Sequence, residues 1–258
     1  MIRVAVCGAA GRMGRLIVRQ VASQKDMKLV AAVDVPEHPM MGKDAGLIAG
    51  AQKLGVNLVE ATKLSEVLKK AKPHVLVDFT VAEASVQNIK AASRAKVAVV
   101  VGTTGFTEQQ RKELERTIKR SGIRAVISPN FSVGVNVFFK LAREAAAILG
   151  RDYEPSITEV HHVYKKDVPS GTALKAAEEV AKELGIDPEE IKIKSIREGE
   201  VVGDHTLVFS DPFEALEITH RAKSREVFAA GVMRAIRYVL KKGKPGIIRD
   251  MQDVLGLR

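Results

Sequence analysis

The chain opens with Ile2-Arg-Val-Ala-Val-Cys-Gly8-Ala-Ala-Gly11-Arg-Met-Gly14, an apolar run followed at once by three spaced glycines. This order predicts a buried β-strand, a tight turn and the start of a helix. Small residues in such a turn let the backbone approach a pyrophosphate, whose charge is favoured by the free N–H groups of the helix N-terminus. Asp34 ends the next apolar run, where it would accept the ribose hydroxyls. The pattern predicts dinucleotide binding; the alternative is that the glycines only permit close packing of strand and helix.

The first half of the chain alternates strand-like and helix-like segments. Apolar runs predict strands buried on both faces at Ile2 to Cys7, Leu29 to Val35, Val56 to Val59, Val75 to Phe79, Ala98 to Val101 and Ala125 to Ile127. Segments of helical period lie between them, near 12 to 24, 63 to 71, 82 to 95 and 107 to 121. The alternation predicts an α/β fold with a Rossmann-like, doubly wound parallel sheet. Residues 36 to 55, rich in glycine and proline, are expected to form a long surface loop.

The pattern changes after Asn130. A long helix is expected from Ser132 to Leu149 and a second from Gly171 to Leu184. Strands are predicted at Ile157 to His162 and near 191 to 197, 205 to 210 and 214 to 219. Because neighbouring strands follow one another with short turns, this part predicts a second, α+β domain with a mixed or antiparallel sheet. A last helix, from Ser224 to Lys242, could belong to either domain.

Composition narrows the class of protein. The 258 residues are 46% hydrophobic, 28% charged and 4% aromatic, which is typical of a globular chain. A single cysteine, Cys7, excludes an internal disulfide framework and a thiolate metal cluster, and its apolar surroundings predict a buried side chain. Neither a membrane-length apolar run nor a secretory signal pattern is found, so we expect a cytoplasmic protein with no membrane partner.

The formal net charge is +10, which raises the question of a nucleic-acid partner. The basic residues are scattered beside acidic ones, as in the helical series Glu108, Lys112, Glu115 and Lys119. Without a basic run, interleaved aromatics or a known binding motif, we expect no nucleic-acid partner. A positive field that attracts an anionic substrate and cofactor, and a passive excess of charge, remain equally open.

Polar or glycine-rich turns follow three further predicted strands. They are Phe79-Thr80, Gly102-Thr-Thr-Gly105 and Ser128-Pro-Asn-Phe131. Each could be an ordinary turn or helix cap. Because open α/β sheets bind ligands at the carboxyl ends of their strands, three such turns on the same edge as the glycine loop predict a nicotinamide pocket.

The segment Glu159-Val-His-His-Val-Tyr-Lys-Lys-Asp-Val-Pro-Ser-Gly-Thr172 is the richest in titratable groups. Adjacent His161 and His162 at the end of a strand point to opposite faces, so the pair alone does not predict a metal site. The residues from Pro169 to Thr172 begin a helix, whose N-terminus favours a carboxylate or phosphate. Two histidines, a lysine and an anion site this close together predict catalysis or substrate binding, rather than packed and solvated side chains.

These motifs resemble the dihydrodipicolinate reductase family, the 4-hydroxy-tetrahydrodipicolinate reductases of the diaminopimelate route to lysine. The resemblance spans nearly the whole chain. Besides the glycine loop and the segment from Glu159 to Thr172, it is carried by Val77-Asp-Phe-Thr80, Val101-Gly-Thr-Thr-Gly-Phe106, Pro129-Asn-Phe-Ser-Val-Gly-Val-Asn136, Val202-Gly-Asp-His-Thr206 and Leu216-Glu-Ile-Thr-His220.

The resemblance implies a role for each matching position. His161 and Lys165 would be the catalytic acid and base pair, and His162, Gly171 and Thr172 would bind the substrate. NADH or NADPH would bind along Gly8, Ala9, Ala10, Gly11, Arg12, Met13, Asp34, Phe79, Thr80, Gly102, Thr103, Thr104, Ser128, Pro129, Asn130 and Phe131. No metal is implied. Val35 stands where some relatives have arginine, and the connection before Arg197 is shorter than in many relatives.

The resemblance also implies a domain plan and an assembly. Residues 1–130 would bind the dinucleotide, 131–223 would bind a small dicarboxylate substrate and form the oligomer, and 224–258 would return to the cofactor domain. The assembly would be a homotetramer joined through the sheet of the second domain.

Two other classes of protein share some of these features. Another two-domain dehydrogenase, of the homoserine or aspartate type, would have the glycine loop but need not have the segment from His161 to Thr172. A dinucleotide sensor or basic nucleic-acid binder would have no use for paired titratable residues at a second anion site.

Overall fold

The computed structural model describes residues 1–258 and divides the chain into two compact units. Unit 1 comprises Met1–Phe131, Phe228–Gly256 and Arg258, and unit 2 comprises Ser132–Val227 and Leu257. No helix has both the length and the apolar character needed to span a membrane. The last long helix thus contributes most of its residues to the same unit as the glycine loop.

The strands are β1 Ile2–Cys7, β2 Met27–Asp34, β3 Leu58–Glu60, β4 Val75–Asp78, β5 Ala98–Val101, β6 Ala125–Ile127, β7 Glu154–His161, β8 Lys192–Arg197, β9 Asp204–Ser210, β10 Ala215–Arg221 and β11 Ile248–Arg249. The α-helices are α1 Arg12–Ser23, α2 Ala45–Ile48, α3 Leu64–Ala71, α4 Ala82–Arg94, α5 Glu108–Ser121, α6 Val133–Leu149, α7 Gly171–Leu184, α8 Glu226–Lys241 and α9 Met251–Leu255. Short 3₁₀ turns occupy Ala61–Lys63, Gly150–Asp152 and Pro188–Glu190.

Unit 1 is built on a seven-stranded sheet of order β11-β6-β5-β4-β1-β2-β3, with every pair parallel. Alternate residues of β1 enter opposite cores: Val4 and Val6 pack with α1 and α8, whereas Ala5 and Cys7 pack with α3, α4 and α5. Burial on both faces explains the continuous apolar runs. The predicted Rossmann-like sheet is confirmed, with β11 added at one edge.

Unit 2 is built on a four-stranded sheet of order β10-β9-β7-β8. The pair β7–β8 is parallel, while β9 is antiparallel to both β7 and β10, so the predicted mixed sheet is confirmed. Its core is formed by apolar side chains of α6 and α7, such as Phe138 and Val180, against Ile157, Leu207 and Phe209 of the sheet.

The structure corrects the interpretation of residues 36 to 55 as a plain surface loop. The buried carboxylate of Asp44 accepts backbone N–H groups from Gly46, Leu47, Leu54, Gly55 and Val56 and begins the short helix α2. Because Val56 is bonded to Asp44, strand β3 begins at Leu58 rather than at Val56.

Candidate active site

The glycine loop joins β1 to α1 through close backbone contacts. Gly8 has a φ of +70°, and a Cβ there would lie 2.8 Å from the Phe79 carbonyl oxygen. A Cβ on Gly14 would lie 1.9 Å from the Gly8 carbonyl oxygen, a distance that no side chain tolerates. At Gly11 a Cβ would meet only the Gly8 carbonyl oxygen, at 3.2 Å. Gly8 and Gly14 are therefore required by packing, whereas Gly11 leaves the outer side of the loop open.

The residues around this loop fit a dinucleotide. Helix α1 begins at exposed Arg12, its N-cap Gly11 supplies no side-chain hydrogen bond, and its first turn has no acidic residue. The first N–H groups of the helix therefore keep the partial positive charge that favours a pyrophosphate. Asp34 is fixed beside them, because its Oδ2 accepts the Ala10 N–H at 2.8 Å and its Oδ1 accepts the Val35 N–H at 2.9 Å. Free N–H groups beside a fixed carboxylate match a pyrophosphate and a ribose.

The loops after β4 and β5 are held together by the fully buried Asp78. Its Oδ1 accepts the Thr80 hydroxyl at 2.7 Å, and its Oδ2 accepts the Asn88 amide at 3.0 Å. The Thr80 N–H also donates to the Thr103 hydroxyl oxygen at 3.1 Å. Burial raises the pKa of Asp78 above its ordinary value, although the Thr80 and Asn88 hydrogen bonds oppose the rise. Predicted cofactor residues from two loops are thereby connected through a residue that the sequence analysis did not select.

Aromatic side chains connect the same edge to the loop after β6. The Phe79 ring lies over Gly102, where a Cβ would come within 2.2 Å of the ring. Its centroid is 5.5 Å from that of Phe131. The Ser128 hydroxyl donates to the Asn130 carbonyl at 3.1 Å. Among the other predicted cofactor residues, Ala9 is buried, Met13 packs on the core, and Thr104 and Pro129 are exposed.

In unit 2, sheet register brings four polar side chains together around His161. Glu159 lies two residues before His161 on β7, so both side chains occupy the same, buried face. Register pairs Glu159 with His205 on β9 and His161 with Arg197 on β8. Glu159 Oε2 contacts His161 Nδ1, Arg197 Nη1 donates to Glu159 Oε1 at 3.0 Å, and the His161 and His205 rings are 5.1 Å apart. We call these four residues the histidine group.

The charges in the histidine group set its protonation. Burial alone raises the pKa of Glu159, but Ser195, Arg197 and His161 lower it below the ordinary value, so the carboxylate stays ionised. Burial lowers the pKa of His161, with Glu159 opposing and the positive charge of Lys165 assisting. Burial, followed by the charge of His161, lowers the pKa of His205 to about 3. At neutral pH both imidazoles are therefore neutral.

The loop after β7 carries the lysine and leads into helix α7. Lys165 Nζ forms an ion pair with Asp167 at 2.7 Å, and Arg197 Nη2 donates to the Asp167 carbonyl at 2.7 Å. Ser170 caps α7 by accepting the Ala173 N–H at 3.2 Å, and its Oγ lies 3.1 Å from His205 Nε2. The histidine group thus connects to both the lysine and the start of α7.

The remaining predicted substrate residues lie around the same segment. Gly171 is exposed as the first residue of α7, and Thr172 follows in its first turn. His162 contacts Arg225 rather than His161, with its Nε2 3.2 Å from Arg225 Nη2.

Sequence reasoning did not assign a role to Glu159, Arg197, His205 or Arg225. The alternation of Glu159 and His161 could have identified Glu159, since residues two apart on a strand share a face. Arg197 and His205 can be identified only from strand register.

Glu159, His161 and His205 place possible metal-ligand atoms within 4.8 Å of one another. Because both oxygens of Glu159 already contact Arg197 or His161, we assign no metal here.

The chain is similar to known proteins over nearly its whole length. Residues 2–131 match the family model for the N-terminus of dihydrodipicolinate reductase, and residues 134–255 match that for its C-terminus. The chain is 50% identical over 272 residues to a 4-hydroxy-tetrahydrodipicolinate reductase from Methanocaldococcus jannaschii, covering 100% of this chain and 98% of the relative. It is 49% identical to a reductase of the same name from Methanobrevibacter smithii, with 100% of both chains covered.

A solved structure is similar as well. Dipicolinate-bound dihydrodipicolinate reductase from Paenisporosarcina sp. TG-14 matches with a TM-score of 0.80 and 25% identity, covering 98% of each chain. The chain therefore belongs to the dihydrodipicolinate reductase family, the NAD(P)H-dependent reductases of the diaminopimelate route to lysine.

Proposed function

We propose that this chain reduces the cyclic dicarboxylate 4-hydroxy-tetrahydrodipicolinate, with His161 and Lys165 managing the proton that accompanies the hydride. The observation that carries the proposal is the placement of a neutral imidazole, a lysine ion pair and a helix N-terminus on one short segment. A dinucleotide sensor would need none of these groups.

Residues of unit 1 would hold the cofactor. The N–H groups at the start of α1 would bind the pyrophosphate, and Asp34 would accept the ribose hydroxyls. The residues Phe79, Thr80, Gly102, Thr103, Ser128 and Phe131 would surround the nicotinamide. When bound, NAD(P)H supplies the hydride.

Residues of unit 2 would hold the substrate through its carboxylates. The N-terminus of α7, at Gly171 and Thr172, favours one carboxylate, because its N–H groups carry partial positive charge. His162, supported by Arg225, would contact the substrate beside it. The positive side chains nearby would stabilise negative charge as it develops on the ring.

The two catalytic residues would divide the proton chemistry. Lys165 forms an ion pair with Asp167 and would donate the proton to the reduced ring. His161 is neutral, because burial lowers its pKa, and would accept a ring proton and pass it to the 4-hydroxyl group, which leaves as water before the hydride arrives. Arg197 links the two residues, since it contacts both Glu159 and the Asp167 carbonyl.

The preferred cofactor and the assembly belong to the same proposal. Asp34 would repel a 2′-phosphate while exposed Arg12 would attract one, so we expect both NADH and NADPH to serve as cofactor, with activity on NADH at least comparable to that on NADPH.

We propose cytoplasmic homotetramers. Residues 131–223 would bind substrate and join the subunits, residues 1–130 would bind the dinucleotide, and residues 224–258 would complete the dinucleotide-binding domain. Phe213 at 92% exposure and Leu216 at 43% give the β9–β10 region an apolar surface suited to a partner chain.

A direct assay tests the reaction. The chain is mixed with NADH and the product of the preceding synthase, and loss of NADH absorbance is followed. We expect about 1 to 1,000 turnovers per second. No turnover with this substrate, but turnover with homoserine or aspartate semialdehyde, would assign the chain to another dehydrogenase class.

A further inference from the structure

We propose that Glu159 is a positioning residue for His161: its carboxylate holds the Nδ1–H of the imidazole and leaves Nε2 as the free proton-accepting atom. The inference deepens the proposed function and rests on it for the role of His161. Neither the sequence motifs nor the family match assigns a role to Glu159.

The contacts of Glu159 fix it in one place. The side chain is 0% exposed, and its oxygens contact two different partners, His161 Nδ1 at Oε2 and Arg197 Nη1 at Oε1. A buried carboxylate is costly unless it is paired, so the arrangement favours keeping both contacts. The backbone of Glu159 is held by the pairing of β7 with β8 on one side and β9 on the other.

The charges around His161 select one tautomer. An ionised carboxylate only accepts hydrogen bonds, so the contact of Glu159 Oε2 with Nδ1 favours the neutral tautomer that carries its hydrogen on Nδ1. The other titratable or charged groups facing the ring are Arg197 from β8, His205 from β9, and Lys165 and Asp167 from the following loop. Arg197 and Lys165 are cations that disfavour an imidazolium, whereas Glu159 and Asp167 favour one.

The opposite edge of the ring is left clear by Gly203. This residue directly precedes β9, and a Cβ there would lie 2.9 Å from His161 Nε2. Any side chain at position 203 would therefore crowd the atom that Glu159 leaves without a proton. Glu159 and Gly203 act on the two ring nitrogens in complementary ways.

The wild-type protein provides a test that needs no mutation of Glu159. Nitrogen NMR of protein labelled with ¹⁵N-histidine reports which ring nitrogen carries hydrogen, and the His161→Gln variant identifies the signals. We expect a neutral ring with hydrogen on Nδ1 at neutral pH. Hydrogen on Nε2 would overturn the proposal.

Kinetics of Glu159→Gln then separate positioning from packing. We expect kcat to fall at least tenfold with unchanged NADH affinity, as when the orienting carboxylate of a catalytic histidine is lost. Loss of the negative charge should lower the pKa of His161, which moves the acidic limb of the kcat profile to lower pH. Glu159→Asp should recover part of kcat, and Glu154→Gln, an exposed carboxylate on the same strand, should leave it unchanged.

An unshifted acidic limb in a folded Glu159→Gln protein would also overturn the proposal. If the wild type itself does not reduce the substrate, the proposed function fails, while the tautomer measurement still decides what Glu159 does to His161.

Discussion

The glycine loop of unit 1 and the histidine group of unit 2 are built in opposite ways. The loop depends on backbone: side chains are excluded at Gly8 and Gly14, and its N–H groups belong to consecutive residues. The histidine group depends on side chains from three strands, and Arg197 and His205 reach Glu159 and His161 only through strand pairing. A site formed by one continuous stretch of chain can be identified from the spacing of its residues. A site formed by residues on different strands can be identified only when the pairing of those strands is known.

Removing the ammonium of Lys165 should have the largest effect. A positioned general acid contributes roughly 10² to 10⁴ in rate, so Lys165→Ala should lower kcat by about that factor. NADH affinity should not change, because the predicted cofactor residues lie in unit 1. Steady-state kinetics and cofactor titration measure the two effects. The matched control is Lys166→Ala, which removes an exposed neighbour and should retain kcat; equal losses in both variants would contradict the assignment.

Acid should weaken the histidine group, because His205 is buried as a neutral imidazole. The pKa of His205 is about 3 in the folded protein, against about 6.5 when unfolded, so the unfolded chain binds more protons between these values. Stability from the neutral ring is complete above about pH 6.5 and is lost as pH falls toward 3, by a few kcal/mol. Denaturant unfolding from pH 7 to pH 4 should show a smaller decline in His205→Gln. His74→Gln, an exposed histidine, should decline like the wild type.

Two glycine substitutions separate packing from binding in the loop. Gly14→Ala forces a Cβ against the Gly8 carbonyl and should cost about 1 to 3 kcal/mol of stability, as overpacking does. Gly11→Ala brings a Cβ to 3.2 Å from the Gly8 carbonyl oxygen, a tight contact that a small shift relieves, and should remain folded while NADH affinity falls about tenfold, or ~1.4 kcal/mol. Thermal melts with cofactor titrations distinguish them; a destabilised Gly11→Ala with normal affinity would mean that the loop only packs.

An effect of the same size as that of Gly11→Ala is expected on cofactor choice. Asp34→Asn keeps one oxygen that can accept the Ala10 N–H, loses the acceptor for the Val35 N–H, and removes the charge that repels a 2′-phosphate. The ratio of kcat/KM for NADPH to that for NADH should rise about tenfold, or ~1.4 kcal/mol. A wild-type preference for NADPH above about a hundredfold, roughly 2.7 kcal/mol, would show that Asp34 does not set the choice.

The sequence predicted the parts of the fold that depend on local pattern. Strands β1, β4, β5 and β6 follow from apolar runs, because both faces of the parallel sheet are buried. The two-residue strand β11 has no periodicity to detect and forms only because it pairs with β6. The Asp44 turn was missed because its partners extend over twelve residues of irregular backbone.

The residues of the candidate site also divide into those that a local sequence pattern identifies and those that only strand pairing brings together. His161 and Lys165 lie in one recognisable segment, so they could be selected before the structure was known. Arg197 is 38 residues from Glu159 in sequence, and only the parallel pairing of β7 with β8 brings them together. Asp78 lies at the end of a predicted strand, and its position in the sequence does not show that it connects the loops carrying Thr80 and Thr103.

The central claim is that the glycine loop binds the cofactor and the histidine group moves the proton. It is tested most directly by measuring, for Gly11→Ala and His161→Ala, the NADH dissociation constant and the single-turnover rate at saturating NADH and substrate. We predict a crossed result: Gly11→Ala weakens NADH binding about tenfold with a near-normal rate, and His161→Ala binds NADH normally but reacts roughly 10² to 10⁴ times more slowly. A His161→Ala protein that is folded and reacts at the wild-type rate would contradict the account.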